Sequence, residues 1–279
     1  MSDYTRVYFE GLGIDFDVPS VAFTIGSYSI HWYGIIIAFG FALAVLYGGR
    51  MAYKWKMSLD GMTDVLMWGT ILGIIFARAY YVIFEWSYYK EHLSEIPQIW
   101  NGGIAIYGGI IGAFIGAIIG CKIGKIDFRN LLDLGGLGLL IGQGIGRWGN
   151  FFNQEAHGGI TTYQNLKNMH IPEFIINGMH IDGKYYYPTF FFESIWCLIG
   201  FIILMIARKN KNLRKGFQIG FYFIWYGIGR FFIETLRTDS LMFFGLKIAQ
   251  IVSLIGIIIG IIIIVTNRNK KYYNEMEVK

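Results

Sequence analysis

The chain has 279 residues, of which 54% are hydrophobic and only 15% charged, and its mean hydropathy is +0.46. Such a composition is a poor recipe for a water-soluble surface and excludes both an ordinary soluble domain and a disordered chain. The net charge of +5 belongs to basic residues in short loops between apolar runs. There it acts as a topology signal beside anionic lipid, so nucleic acid is not an expected partner.

Runs long enough to cross ~30 Å of hydrocarbon, at about 1.5 Å per residue, occur seven times. They are predicted over 29–47, 62–84, 102–121, 131–152, 189–207, 217–236 and 248–266. The expected fold class is therefore an all-α integral membrane protein with seven transmembrane helices. Residues 1–28 precede them as an external segment, 29–266 form the transmembrane domain, and 267–279 form a basic cytoplasmic tail. The first segment carries Asp3, Glu10, Asp15 and Asp17 with a single Arg6 and has no short apolar core. A cleaved signal peptide is not expected, and the first helix should remain as an anchor.

Helix 1 opens with His31, Trp32, Tyr33 and Gly34, and helix 2 carries Arg78. Helix 3 carries Tyr107 within about two turns of its start and then repeats glycine every fourth residue at Gly108, Gly112, Gly116 and Gly120. Helix 4 has a similar stripe at Gly138, Gly142 and Gly146, followed by Arg147, Asn150 and Asn153. Such stripes usually mark close helix packing, here expected to bring helices 3 and 4 together and fix Arg147. Glu155, His157 and Gly158 begin a stretch of roughly 153–188 that is too long for an ordinary connection. Its polar, turn-rich composition predicts a small external cap, with His157 solvated. Helix 5 contains Glu193, and helix 6 contains Tyr226, Arg230 and Glu234, with Arg237 near its end. Spacing makes Arg230 and Glu234 an intrahelical ion pair, while Arg237 snorkels to the boundary. Cys121 and Cys197 lie inside helices, where a thiol most often serves as a small buried hydrophobe. Neither a disulfide, a metal site nor a cofactor is indicated.

Lysine and arginine set the orientation: 15 flank one face and 6 the other, with Arg78, Arg147 and Arg230 inside the apolar runs. The amino terminus is therefore expected outside and the carboxyl terminus in the cytoplasm. Counting from the inner helix ends puts Arg147, Arg78 and Arg230 roughly 27, 26 and 21 Å up, in the outer half. Tyr33, Tyr107 and Glu193 enter from outside at that same level. An intramembrane arginine costs at least ~2.5 to 3.5 kcal/mol on insertion scales and keeps its proton, so all three need anionic company. A lipid phosphate is the simplest shared partner; for Arg147, an internal pair with Glu155 or Glu193 is the plainer alternative. For Tyr33, Tyr107 and Tyr187, so is membership of the interfacial aromatic belt. Composition alone would rank a transporter for a phosphorylated solute first, but no pair of broken helices occupies equivalent places in two halves.

The run Gly146-Arg147-Trp148-Gly149-Asn150-Phe151-Phe152-Asn153-Gln154-Glu155-Ala156-His157-Gly158 resembles the G-R-x-G-N-F-x-N-x-E-x-x-G signature of bacterial phosphatidylglycerol-prolipoprotein diacylglyceryl transferases. His31-Trp32-Tyr33-Gly34, Ala77-Arg78 with Tyr81, Gly108-Gly109, Pro188-Thr189 with Glu193, Tyr226 with Arg230, Glu234 and Arg237, and Gln250 with Ser253 extend the likeness in order through all seven helices. The resemblance implies transfer of a diacylglyceryl group from phosphatidylglycerol to the lipobox cysteine thiol of a prolipoprotein signal peptide, releasing glycerol 1-phosphate. It places the protein in the bacterial plasma membrane with its site toward the outer leaflet. On the matching positions it carries over Tyr33, Arg147, Asn150, Asn153, Glu155, Gly158, Tyr226 and Arg230. Many members have His where this chain has Tyr107 and Tyr187, so a mechanism that requires an imidazole base at the first of these positions is not expected.

Arg147 and Arg230 are the candidates for stabilising the leaving phosphate, and Tyr33, Tyr107 and Glu155 those for accepting the thiol proton. Arg78, Asn150, Asn153, Gly158, Tyr226 and Glu193 complete the substrate-binding set. Glu155 has an alternative duty of holding an arginine in place.

Overall fold

The computed structural model describes residues 4–9, 14–26, 28–209 and 213–267. Much of the expected amino-terminal segment lies within these limits, whereas nearly all of the expected basic tail lies outside the described residues. The described chain divides into two compact units, one of residues 4–48 and 133–267, the other of 49–132.

The long helices are α1 (Trp32–Lys54), α2 (Leu59–Phe84), α4 (Ile106–Ile123), α5 (Phe128–Asn153), α8 (Thr189–Ala207), α9 (Phe217–Leu236) and α10 (Ile248–Thr266). Shorter helices are α3 (Trp86–Tyr89), α6 (Tyr163–Asn168) and α7 (Glu173–Gly178). The expected limits of α8, α9 and α10 coincide with these, while the other starts moved for local reasons. His31 pairs with Val21 across a hairpin, which delays α1 to Trp32. Ser58 caps α2 by accepting the Gly61 N–H at 3.0 Å, so the helix starts at Leu59, three residues before the expected run. Gly102 and Gly103 have φ of 85° and 73°, a left-handed backbone that cannot open a helix, so α4 waits for Ile106. The Asp127 carboxylate accepts the Arg129 N–H at 2.9 Å and starts α5 at Phe128.

Among the described residues five helices, α1, α2, α4, α8 and α10, are long and apolar enough to cross a membrane. Helices α5 and α9 are not among them: α5 carries Asp133, Gln143, Arg147, Asn150 and Asn153, and α9 carries Gln218, Arg230 and Glu234.

The all-α expectation needs correction, since short strands form four small antiparallel sheets among the described residues. They are β1 (Tyr4–Phe9) with β2 (Ile14–Pro19), β3 (Val21–Ile25) with β4 (Tyr28–His31), and β5 (Ile160–Thr161), β7 (Lys184–Tyr186) and β6 (His180–Ile181) in that order. The last pair is β8 (Met242–Phe243) with β9 (Leu246–Lys247). These hairpins lack an extended apolar alternation, which is why hydropathy passes over them.

The 153–188 stretch, the cap segment, folds around an apolar core of its own, built from Leu166, Ile175, Ile176, Met179 and Ile181 around Phe151 and Phe190 at the adjoining helix ends. Thr5 of β1 donates its hydroxyl to the Phe152 carbonyl at 3.2 Å. Gln154 reaches the Gly178 carbonyl at 3.3 Å. The cap is thereby tied to the end of α5, the helix that bears Arg147.

In the smaller unit the α4 glycine stripe packs against α2, correcting the expectation that it would face helix 4 of the prediction. A β-carbon on Gly108, Gly112 or Gly116 would fall within contact of the carbonyl oxygens of Phe76, Leu72 and Trp68 respectively. The second stripe is looser, with open space at Gly142. Gly116→Val should therefore destabilise the smaller unit by about 1–3 kcal/mol or more through overpacking, read as a lower unfolding temperature in detergent. Gly142→Ala should leave that temperature nearly unchanged.

Candidate functional site

Glu193 lies one turn inside α8, and its neighbours fix where its carboxylate points. Trp196 of α8 and Trp225 of α9 stack at 4.3 Å between ring centroids. Each donates its indole N–H to the other's carbonyl, at 2.7 and 2.8 Å. Gly200 and Gly229 supply the room, because a β-carbon on either would strike an indole ring. This reciprocal staple sets the register of α8 on α9, bringing Glu193 level with Tyr226 and Arg230.

Helix α5 is fixed to both. Trp148 donates its indole N–H to Ser194 Oγ at 3.1 Å. Gln143 donates to the Tyr222 hydroxyl at 2.9 Å. At the far end, buried Asp133 accepts the Gly216 N–H at 2.5 Å and the Ile219 N–H at 3.1 Å. Gly216 has no side chain with which to cap α9, so α5 supplies the carboxylate that the positive helix start favours.

The result is a buried ionic cluster. Arg147 Nη2 lies 2.9 Å from Glu193 Oε1, and Arg230 Nη1 lies 3.0 Å from Glu193 Oε2. Arg230 Nη2 lies 2.6 Å from Glu234 Oε2, the expected i,i+4 pair. The Tyr226 hydroxyl donates to Glu193 Oε1 at 2.7 Å and also meets Arg147. Glu193 is 2% exposed, whereas the Arg147 and Arg230 side chains keep 24% and 15% of their surface. The two arginines and two glutamates sum to zero charge, which makes their burial tolerable. Attraction for an anion is therefore directional, concentrated on the guanidinium edge that the carboxylates leave open. Arg147 has five N–H donors, and among the described residues its edge beyond Glu193 meets Tyr226 and, at 3.4 Å, the Asn150 Oδ1.

Of the two internal partners considered for Arg147, the structure selects Glu193. Glu155 instead accepts the side-chain amides of Asn150 and Asn153 at 3.1 and 3.3 Å. Its contact with Arg147 thus runs through Asn150. Tyr33 lies with its ring edge against Gly149, where a β-carbon would come within 2.6 Å of Cδ2, and remains 37% exposed. Gly158 is a point of close approach: its N–H donates to the Tyr187 carbonyl at 2.8 Å, and it bridges to Arg237. A β-carbon there would sit 2.7 Å from that of Tyr187. His157 is half-buried with its ring 4.1 Å from that of Tyr186, correcting the solvated expectation. Arg237, expected to snorkel, holds Asp239 through two bonds of 3.0 and 2.7 Å. That hydrogen bonding keeps the Asp239 carboxyl below the usual carboxylate range.

Arg78 and Tyr107 belong to the smaller unit. Arg78 was expected to need an anion; its guanidinium is instead occupied by four carbonyl oxygens, of Glu95, Ile96, Gly102 and Gly103, at 2.7–2.8 Å. It also lies 5.1 Å from the Tyr89 ring centre. Arg78 thus ties the 85–105 connection to α2, and Tyr107 follows that connection in the first turn of α4, 48% exposed.

The model of the prolipoprotein diacylglyceryl transferase family matches residues 20–266. The chain belongs to that family. Relatives named phosphatidylglycerol–prolipoprotein diacylglyceryl transferase include one from Staphylococcus saprophyticus, 50% identical over 254 residues that cover 91% of each chain. One from Listeria innocua is 51% identical over 258 residues, covering 91% of this chain and 93% of its own. Another from Bacillus velezensis is 49% identical over 256 residues, covering 91% and 94%. Family membership together with the five apolar helices makes this a membrane protein.

For a prolipoprotein diacylglyceryl transferase the site contains residues that sequence reasoning missed: Gln143, Tyr222, Ser194, Asp133 and the Trp196–Trp225 staple. A signal for some was present. Tyr222, Tyr226, Arg230 and Glu234 recur every four residues on α9, and Gln143 precedes Arg147 by four on α5, so each set lies along one helix face. Glu193→Gln would leave two guanidiniums around a neutral amide, and breaking a buried pair in this way costs about 3–5 kcal/mol. Thermal unfolding in detergent should show that loss; an unchanged transition would mean that Glu193 does not carry the charge balance.

Proposed function

We propose that this chain transfers the diacylglyceryl group of phosphatidylglycerol to the lipobox cysteine thiol of prolipoproteins at the Arg147–Glu193–Arg230 cluster. The observation that carries the assignment is Arg147, held by Glu193 yet retaining an open, partly exposed guanidinium edge. A phosphate ester accepts bidentate hydrogen bonds from such an edge, and these strengthen as charge builds on the leaving group.

In the reaction the cysteine sulfur attacks the glycerol carbon that bears the phosphate. The C–S bond forms as the C–O bond breaks, the electron pair leaves with the phosphate as glycerol 1-phosphate, and the thiol proton passes to a base. Arg147 receives the phosphate oxygens, and Arg230 shares the load on Glu193 so that one carboxylate does not close off Arg147. Asn150 and Asn153, whose amides each have a second N–H beyond the Glu155 bond, donate to lipid oxygens. Tyr226 orients Glu193, and Gly158 lets the cap strand pass beside α9. Arg78 positions the 85–105 connection, and through it Tyr107. Glu155 and Tyr33, both in the larger unit, are the groups assigned to receive the thiol proton, and Tyr107 is a candidate from its place in the sequence alone.

The same reading has α5 and α9 crossing with the five apolar helices, giving seven spans. Gln143, Arg147, Asn150, Arg230 and Glu234 lie at or beside the cluster, while Asp133 and Gln218 are buried at the other end of these helices. The lysine and arginine bias supports an outside amino terminus, a cytoplasmic carboxyl terminus and an external cap. The site then faces the outer leaflet of the plasma membrane, the level of both the lipid phosphate and a signal-peptide cysteine.

Purified protein in vesicles with phosphatidylglycerol and a lipobox peptide should yield a diacylglyceryl thioether. Movement of the head group across the vesicle without bond cleavage would identify a transporter instead. Arg147→Lys keeps the charge but loses the planar fork, and should lower the turnover about 10²–10³-fold; full activity would remove the bidentate phosphate contact. Among Glu155→Gln, Tyr33→Phe and Tyr107→Phe, the substitution at the base should regain rate as pH rises toward the thiol's own pKa. A rate insensitive to all three would exclude them.

A further inference from the structure

The connection from α9 to α10 ends in a hairpin whose tip is entirely apolar. Met242 of β8 pairs with Lys247 of β9, and Phe243 pairs with Leu246, leaving Phe244 and Gly245 as a two-residue turn. Both turn residues have positive φ, 47° and 79°. Asn-Gly or Gly-Gly normally builds such a turn, because a bulky side chain is disfavoured in the left-handed region. Here the position holds a phenylalanine that is 92% exposed. Leu241, Met242, Phe243 and Leu246 are each more than half exposed as well, and the sequence has no charge between Asp239 and Lys247.

The base of this finger is fastened. Lys247 Nζ donates to the carbonyls of Glu234 and Arg237, at 2.7 Å each, and so caps the last turn of α9. The Ile248 N–H meets the Leu241 carbonyl at 2.9 Å, and Arg237 grips Asp239 below. The apolar tip is thus held out by a braced stem.

Its surroundings follow from α10, which begins at Ile248 directly after β9. With 19 residues and a mean hydropathy of 3.0 it is the most apolar of the candidate spans. At about 1.5 Å per residue it is just long enough to cross the hydrocarbon core. Its first turn therefore lies at a membrane boundary, and a finger braced against that turn lies at the same level. Aromatic and aliphatic side chains are favoured there, whereas in water so contiguous a patch would be a liability.

From this we infer that the 241–246 finger is seated in the lipid interface of the leaflet where α9 ends and α10 begins, with membrane lipid as its occupant. It anchors the end of α9 within one turn of the Arg230–Glu234 pair. Phe244→Cys tests the assignment without an activity assay, because the native thiols, Cys121 and Cys197, are buried. The variant, labelled with an environment-sensitive nitrobenzoxadiazole dye, is placed in vesicles of phosphatidylglycerol and phosphatidylcholine. The dye emission should shift to the blue, be quenched severalfold by lipids spin-labelled high on the acyl chain, and resist aqueous iodide. Iodide quenching as strong as for free dye would overturn the proposal. Iodide quenching that disappears only when an apolar signal-like peptide is added would also overturn it, and assign the finger to peptide. Should Phe244→Cys fail to fold, Met242→Cys carries the same measurement.

Discussion

One buried carboxylate between two guanidinium groups is the constraint on which the larger unit is organised. Arginine cannot lose its proton, and an isolated charge out of water costs several kcal/mol, so Arg147 and Arg230 are tolerable only if Glu193 reaches both. That in turn demands that α5, α8 and α9 keep a fixed register. The paired indoles of Trp196 and Trp225 set α8 against α9. Asp133 sets α9 against α5 by capping a helix start that glycine leaves bare. Stability and preorganisation are here the same requirement, since the contacts that make the charges bearable also hold Arg147 with one edge open.

Charge balance by itself would only silence the site. In the proposed reaction the anion is met by the guanidinium edge of Arg147 that Glu193 leaves free, and donors preset toward developing charge need no reorganisation. Glu155 works at one remove, through the amides of Asn150 and Asn153, so the signature segment couples its two ends within a few residues. Arg78 shows another way in which a buried arginine is accommodated. Four carbonyl dipoles replace the anion, and the gain is a secured connection leading to Tyr107.

The sequence was most legible where a single physical effect dominates. Hydropathy located α8, α9 and α10 to the residue, because their ends coincide with the ends of the apolar runs. It misplaced the starts of α1, α2, α4 and α5, which are decided by a β-pair at His31, a Ser58 cap, positive φ at Gly102 and Gly103, and an Asp127 cap. The signature and the matching residues on the other helices pointed to the family, which the comparisons then showed. Which carboxylate faces Arg147 was not legible, since Glu155 is near in sequence but Glu193 is brought near by the tryptophan staple. The partner of the α4 glycine stripe was equally hidden, because small residues announce close approach without naming the helix approached. The polar face of α9, by contrast, was readable as a repeat of four once Arg230 had been singled out.

The central claim concerns contact between arginine and lipid phosphate, and dipolar dephasing between nitrogen and phosphorus measures it directly. Protein labelled with ¹⁵N at arginine, reconstituted with phosphatidylglycerol, should contain a phosphate signal within about 4 Å of a guanidinium nitrogen, the separation set by a charge-assisted hydrogen bond. That dephasing should collapse in Arg147→Lys while the bulk lipid signal is unchanged. A bound phosphate undephased in the native protein, or dephased equally in Arg147→Lys, would contradict the account.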